Sequence, residues 1–278
     1  MSGLDPRLTL ARGDLASSDL EGIASADRYV RPTPWACAAP ATAIKRHPAA
    51  DAEQVDQLLF GEAFDVLETV GGWAWGQARR DGYVGFVEAA ALAEPGPPPT
   101  HRVAALRAYA FAEPSIKARA VGPLSINALV SIDRREGRFG HALGLGWMVE
   151  HQLAPIGSVE RDFVAVAERF VGAAYLWGGR EAEGVDCSGL VQQAMLACGR
   201  ACPRDTDLQA ALGAPVAPGA LRRGDLVFWR GHVAIMVDPA RIVHANGHHA
   251  ATVTEPLAEA IARIAAAGSG QPTAYRRI

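Results

Sequence analysis

The chain has 278 residues, 49% of them hydrophobic and 21% charged, so it is long enough for two or three small domains and is neither disordered nor collagen-like in composition. Its formal net charge of -3 provides no basic excess for binding a polyanion, so nucleic acid is not an expected partner. No apolar run approaches the roughly 18 residues of a membrane-spanning helix, and no contact with a membrane is expected.

Charged residues are scattered through residues 1–30, which we interpret as an N-terminal extension. They interrupt every window that could serve as the apolar core of a secretory signal. These residues are Asp5, Arg7, Arg12, Asp14, Asp19 and Glu21. No secretory signal is visible, so a cytoplasmic location is expected.

Residues 31–94 have the pattern of a small antiparallel β-barrel. Short alternating apolar runs are separated by the turns Gly71-Gly72 and Asp81-Gly82. The proline-rich stretch 94–100 ends this domain. Residues 100–152 repeat the pattern more faintly and predict a second, degenerate β unit.

The pattern changes after Pro155, and residues 157–278 predict a separate α+β module. Apolar residues at helical spacing predict a helix within 161–177. A second helix begins after Asp186, a good N-cap residue, and stops at Gly199. The runs DLVFW, HVAIMV and RIVHA then predict a sheet, so the module is expected to have helices first and strands second.

Cys187 lies in the first turn of the second predicted helix. The helix dipole and a nearby imidazolium would lower the pKa of such a thiol and favour the nucleophilic thiolate. His232 opens one predicted strand and His244 lies in the next, so they could face each other across a hairpin. Cys187, His232 and His244 therefore form a candidate catalytic triad.

Four ordered motifs resemble the NlpC family of bacterial cysteine peptidases: YLWGGREAEGVDCSGLVQQAM (175–195), PRDTDLQ (203–209), RGDLVFWRGHVAIMV (223–237) and IVHA (242–245). The resemblance covers about residues 160–278. It implies a papain-like fold, in which a helix with the cysteine packs on an antiparallel sheet with the histidine. It also implies hydrolysis of the bond from D-γ-glutamate to a diamino acid in murein peptides.

The resemblance implies roles for particular residues. Cys187 is the expected nucleophile, His232 the base and His244 the residue that orients it. Tyr175 is expected to assist the backbone amide of Cys187 at the oxyanion hole.

The upstream β domains resemble the SH3-like modules of one branch of the family, whose substrates have a free L-alanine amine. In that branch acidic side chains bind the amine. Asp205 matches one of them directly, and Glu62 and Tyr83 are the best matches in the β module. Ser188 and Arg204, beside these motifs, complete the predicted substrate-binding set.

Other interpretations remain open for several of these residues. Asp205 could be a loop cap and Glu62 a solvated turn residue. Trp73, Trp75 and Phe86 could form a ligand cradle, although aromatic residues in a small barrel are more often core.

The four cysteines do not suggest a disulfide framework, so reduced thiols are expected. Cys198 and Cys202 could form a zinc site with His248 and His249, but their spacing favours core packing. Neither a metal nor a cofactor is therefore predicted.

Two other functions are possible on sequence alone. One is a peptide- or wall-binding SH3-like protein with an inactive peptidase domain. The other is an acyltransferase or amidase that uses the same Cys-His chemistry. The sequence does not indicate the preferred diamino acid, the length of the stem peptide or the oligomeric state.

Overall fold

The computed structural model describes residues 3–278, which divide after Ile156 into two compact units with separate hydrophobic cores. Met1 and Ser2 of the predicted extension lie outside the described residues. Among the helices of residues 3–278, none is long and apolar enough to cross a membrane.

Apart from three short 3-10 helices, the regular secondary structure of the N-terminal unit consists of strands. In chain order they are β1 (Ala11–Arg12), β2 (Leu15–Ser17), β3 (Tyr29–Val30), β4 (Thr33–Cys37), β5 (Ala41–Lys45), β6 (Gln54–Leu59), β7 (Ala63–Val70), β8 (Trp73–Ala78), β9 (Val84–Glu88), β10 (Leu92–Ala93), β11 (His101–Val103), β12 (Arg107–Phe111), β13 (Ala120–Ser125), β14 (Leu129–Val130), β15 (Ile132–Glu136), β16 (Phe139–Ala142), β17 (Gly146–Val149) and β18 (Leu153–Pro155). The sheet orders are β1-β2-β3, β10-β4-β7-β8-β9-β5-β6, β14-β11-β18 and β13-β12-β17-β16-β15.

Strands β4–β10 form one seven-stranded sheet around a core that includes Ile44, Leu58 and Phe64. The turn from β7 to β8 is made by Gly71 and Gly72, which have φ of 60° and 83°. Glycine adopts these left-handed angles without the steric penalty that a Cβ brings. Apolar residues alternate along these strands because successive side chains point to opposite faces of the sheet and one face is buried.

The segment before β4 folds onto this sheet. Leu10 and Leu15 pack in one cluster with Leu67 and Trp75 of β7 and β8. The backbone N–H of Val84 also donates to the carbonyl of Arg7 at 2.8 Å. The charged residues of this segment therefore flank two buried leucines. Trp75 belongs to the hydrophobic core.

Strands β11–β18 form the remaining two sheets of this unit, around a core with Val103, Leu124 and Met148. Leu59, at the end of β6, belongs to the same cluster. The backbone N–H of Leu129 donates to the carbonyl of Phe60 at 2.8 Å. The two groups of strands therefore share apolar packing and hydrogen bonds.

The C-terminal unit has an α+β fold, as predicted. Its strands are β19 (Ala174–Tyr175), β20 (Gly184–Val185), β21 (Ala214–Pro215), β22 (Asp225–Trp229), β23 (His232–Met236), β24 (Arg241–Asn246), β25 (Ala251–Pro256) and β26 (Ala274–Arg277). Its helices are α1 (Phe163–Glu168), α2 (Cys187–Ala197), α3 (Thr206–Gln209) and α4 (Leu257–Ala266). The strands form one sheet in the order β20-β19-β25-β24-β23-β22-β26-β21.

Helix α2 is the central helix of this unit. Ten of its 11 residues are buried, and it packs against β23 and β24. It begins after Asp186, whose side chain accepts a hydrogen bond from the backbone N–H of Gly189. The chain leaves the helix through Gly199, with φ of 71°.

The predicted order of helices before strands is wrong in two places. Helix α1 ends at Glu168 because the chain turns at Gly172, which has φ of 90°, and the next residues enter the sheet as β19. Helix α4 follows β25 and was not predicted. It packs through Leu257, Ala260 and Ile261 onto a cluster that contains residues of β22, β23 and β24.

Candidate active site

The first residue of α2 brings a buried thiol to the start of β23. Cys187 is 6% exposed, and its Sγ lies 4.0 Å from the carbonyl oxygen of Gly231. The backbone N–H of Val233 hydrogen-bonds to the same sulfur. Because Gly231 and Val233 flank His232, the fold brings the predicted nucleophile and base together.

The two predicted histidines face each other from neighbouring strands. His232 Nε2 lies 2.8 Å from His244 Nδ1. The other nitrogen of His244, Nε2, lies 2.6 Å from Glu255 Oε1, and Arg263 bonds to the same oxygen. His244 is fully buried. The hairpin thus connects His232 through His244 to a carboxylate.

Burial acts against the charged forms of both the thiol and the imidazole. Burial, followed by the negative charge of Asp186, raises the pKa of Cys187 to about 12. Burial, followed by the charges of His244 and Arg263, lowers the pKa of His232 to about 3. The thiolate stabilised by the helix dipole and an imidazolium stays a prediction, and desolvation of the two charged forms opposes it.

The low pKa of His232 leads to a prediction for the pH dependence of activity. His232 acts as a base only when unprotonated, so kcat/KM should fall as the pH drops through its pKa, below the ordinary value of 6.5. Burial, His244 and Arg263 lower this pKa, and Glu255 opposes them. We expect kcat/KM to hold its neutral-pH value well below 6.5 in a titration from about pH 8 to about pH 4.

The control for this titration is the folding stability at each pH. Because the unfolded state would bind protons that the native His232 and His244 do not, stability is complete above 6.5 and declines as the pH falls below that value. Circular dichroism separates this loss from titration of the base. An acid limb centred at 6.5 or above, in folded protein, would contradict the prediction.

Tyr175 lies close to the thiol. In the sheet it pairs with Val185, two residues before Cys187. Burial is the largest cause that raises the pKa of its phenol, and the negative charge of Asp186 adds to it. The hydroxyl therefore keeps its proton and can donate a hydrogen bond to a developing oxyanion.

A buried ion pair holds the start of α2. The Arg204 guanidinium, 1% exposed, donates to both carboxylate oxygens of Asp186, at 3.0 Å and 2.6 Å, and to Ser188 Oγ at 2.8 Å. Asp186 also accepts from the backbone N–H groups of Gly178 and Gly189. These buried bonds show Ser188 and Arg204 holding the start of the helix that begins with Cys187, and their predicted substrate binding stays a prediction.

Asp205 directly follows this ion pair in the chain. It occupies the N-cap position of α3, yet its side chain makes no capping hydrogen bond there. The residue is partly exposed. The cap that was the alternative interpretation is therefore not formed, and Asp205 remains the predicted amine-binding residue.

The structure places the two binding residues predicted in the β module in buried positions. Glu62 is 1% exposed, pairs with Arg80 and accepts a hydrogen bond from the backbone N–H of Leu59 at 3.1 Å. Tyr83 is 4% exposed and belongs to the core of the β4–β10 sheet.

The four cysteines are reduced. Within residues 3–278, no group of three or more His, Cys, Asp or Glu side chains could hold a metal ion. Cys202 is buried and directs its thiol toward the carbonyl of Pro203. Its place in the fold is that of a packed side chain.

Glu255 is the important site residue that the sequence analysis missed. Strand β25 pairs with β24 so that Val253 lies opposite His244, and Glu255 is two positions further along the same strand. The alternating run TVTE was a usable signal for this strand. It could not show which neighbour the carboxylate would meet.

The helix with the cysteine, packed on an antiparallel sheet with the histidine pair, defines a papain-like fold with the side chains of a cysteine hydrolase. Residues 172–263, within the C-terminal unit, match the model of the NlpC/P60 family. Residues 44–92 match the family described as the bacterial dipeptidyl-peptidase SH3 domain. These matches confirm the NlpC-type resemblance and the SH3-like resemblance of the first β domain.

Two relatives match one or both parts of the chain. It is 28% identical over 211 residues to a γ-D-glutamyl-L-lysine dipeptidyl-peptidase of Bacillus subtilis, covering 68% of this chain and 71% of the relative. It is 38% identical over 99 residues to a probable endopeptidase of Corynebacterium glutamicum, covering 34% of this chain. The alignment spans about half of that relative, 47% of its length.

A solved structure has a similar fold over most of the length of this chain. The crystal structure of an NlpC/P60 family protein from Bacillus cereus aligns with a TM-score of 0.75 at 18% identity. The alignment covers 88% of this chain and 99% of that protein. At this identity the likeness establishes the fold.

Proposed function

We propose that the protein is a cysteine peptidase that hydrolyses the γ-D-glutamyl-diamino acid bond of murein peptides with a free N-terminal L-alanine. The observation that carries the proposal is the buried thiol of Cys187 beside the hydrogen-bonded pair His232 and His244, in an NlpC/P60 domain. The match to a dipeptidyl-peptidase SH3 domain and the name of the B. subtilis relative support the same class of bond.

The proposed reaction starts from the neutral thiol and the neutral imidazole. As Sγ of Cys187 attacks the γ-carbonyl carbon of D-glutamate, the thiol proton passes to His232. The carbonyl oxygen gains negative charge, which the Tyr175 hydroxyl and the backbone N–H of Cys187 stabilise by donating hydrogen bonds. The reaction thus needs no thiolate in the resting enzyme.

The second half of the reaction returns the enzyme to its starting state. The His232 imidazolium gives its proton to the amine of the diamino acid, the C–N bond breaks, and a thioester with Cys187 remains. His232 then takes a proton from water as the water attacks the thioester. The carboxylic acid leaves, and Cys187 regains its proton.

Asp205 is proposed to select peptides with a free amine. The Arg204 bond to Asp186 ties this part of the chain to the residue before Cys187, and Asp205 follows Arg204 directly. A partly exposed carboxylate without a capping hydrogen bond can offset the lost hydration of an ammonium group. Glu62 and Tyr83 are not used in this proposal.

The test compares L-Ala-γ-D-Glu-diaminopimelate with the same peptide acetylated at its amine. Acetylation removes the positive charge and adds bulk, so we expect the acetylated peptide and intact murein to be poor substrates. A hydrogen bond to a charged group contributes about 1.5–3 kcal/mol, so Asp205→Asn should lower kcat/KM on the free peptide roughly 10- to 100-fold. On the acetylated peptide the same substitution should change little. Products are identified by mass spectrometry.

The matched control is Asp207→Asn, which removes the same charge from an exposed position in α3. It should leave both rates near those of the unmodified protein. Equal rates on the free and acetylated peptides would refute the amine site and leave Cys187 and His232 in a more open cleft. Binding of either peptide without cleavage would instead favour the peptide-binding alternative.

A further inference from the structure

We propose that Glu255 is a positioning residue whose carboxylate fixes the protons of His244 and, through it, of His232, so that His232 Nδ1 is left unprotonated for the thiol. The inference deepens the proposed function and rests on the roles given there to Cys187 and His232. Its basis is a continuous row of hydrogen bonds from β23 through β24 to the end of β25.

The hydrogen bonds of this row all donate in one direction, because the last member, Glu255, is an anion. Burial alone would raise the pKa of Glu255, but the hydrogen bond from His244 and the positive charge of Arg263 lower it. An ionised carboxylate accepts hydrogen bonds and cannot donate them. The proton in the 2.6 Å contact therefore belongs to His244 Nε2.

The proton on His244 Nε2 determines the state of the next ring. Burial lowers the pKa of His244, so the imidazole is neutral and carries one proton. Its Nδ1 can then only accept, and in the 2.8 Å contact the donor is His232 Nε2. A neutral His232 with its proton on Nε2 keeps the Nδ1 lone pair, which is the one able to take the thiol proton.

A neighbouring amide favours the opposite arrangement. Asn246 Nδ2 lies 3.1 Å from His244 Nε2, and Asn246 Oδ1 already accepts from the backbone N–H of His249. If Asn246 donated to His244 Nε2, the protons would move to Nδ1 of both His244 and His232. His232 could then not accept the thiol proton, so Glu255 and Asn246 compete for the functional tautomer.

Glu255 prevails in this competition for electrostatic reasons. The contact of Glu255 with His244 is shorter than the contact of Asn246 with His244. A hydrogen bond to an ionised carboxylate is also stronger than a hydrogen bond between two neutral groups. A bare Nε2 lone pair at this distance would also repel the carboxylate. Arg263, bonded to the same oxygen, keeps the carboxylate ionised.

The direct test is the position of the histidine protons, read from ¹⁵N–¹H correlation spectra of the full chain labelled at histidine. In the unmodified protein, His232 and His244 should both carry their proton on Nε2. In Glu255→Ala both should change to the Nδ1 tautomer, and adding Asn246→Ala should reverse much of that change. Single substitutions of each histidine assign the signals.

Two further measurements connect the tautomers to reactivity. Alkylation of Cys187 by iodoacetamide and kcat on the tripeptide should both fall roughly 100-fold or more in Glu255→Ala, since a wrong tautomer removes the base. Glu255→Gln should lose less, because its amide oxygen can still accept from His244. That variant also keeps a partner for Arg263, so it remains informative if the alanine variant fails to fold.

The control is Glu259→Ala, which removes an exposed carboxylate from the first turn of α4. It should leave tautomers, alkylation and turnover unchanged. Unchanged tautomers and alkylation in folded Glu255→Ala would overturn the inference. Tautomers that shift as expected, in a protein that cleaves no murein peptide, would uphold the role of Glu255 and refute the proposed function.

Discussion

Replacing Cys187 by alanine is expected to abolish hydrolysis of the tripeptide, by roughly 10⁴-fold or more, and to leave the fold intact. The sulfur is the atom that forms the bond to the substrate, and Tyr175 and His232 can only assist it. Alanine fits the buried space of a cysteine, and the cap by Asp186 does not involve the thiol. Turnover is measured by mass spectrometry and folding by circular dichroism.

The matched control is Cys198→Ala, at the other end of the same helix. It should retain the activity of the unmodified protein, because its side chain is far along α2 from Cys187. Residual turnover in Cys187→Ala above that of the buffer would mean that another group is the nucleophile. Loss of activity in both variants would indicate a general effect on the helix.

The second large effect is expected on stability. Arg204→Met leaves Asp186 as a buried carboxylate without its cationic partner, which should lower the free energy of unfolding by about 3–5 kcal/mol. Because Asp186 caps the helix that begins with Cys187, activity should fall in the molecules that remain folded. Urea denaturation gives the stability, and alkylation of Cys187 reports the site.

The control for this pair is Arg200→Met, which removes an exposed arginine four positions earlier in the chain. Its stability should stay within about 0.5 kcal/mol of the unmodified protein. A double variant, Asp186→Asn with Arg204→Met, should lose less stability than the sum of the two single variants, because it leaves no buried charge. A loss below about 1 kcal/mol for Arg204→Met alone would refute a structural role for the ion pair.

Local patterns predicted much of the architecture. A capping residue, a glycine stop and helical spacing identified α2, and alternation identified β22, β23 and β24. These signals are local because they depend on the caps and periodicity of one element. The prediction failed where a glycine turn overrode helical spacing after Glu168, and where α4 followed a short strand.

In the candidate site, too, the sequence predicted local features and missed partners that are distant in the chain. His232 and His244 could be paired from sequence because neighbouring strands of a hairpin keep their register. The motif around Glu62 could not reveal its partner Arg80 or its burial. The ion pair of Arg204 could not be predicted because the carboxylate it binds lies 18 positions away in the chain.

The sequence by itself determined the family resemblance, the helix that begins at Cys187 and the strands that present His232 and His244. Only the tertiary structure showed that burial acts against the charged forms of the thiol and the imidazole, since desolvation depends on everything packed around them. It also decided that Glu255 completes the row of hydrogen bonds. Local order follows from neighbours in the chain, whereas pKa values and proton positions follow from neighbours in space.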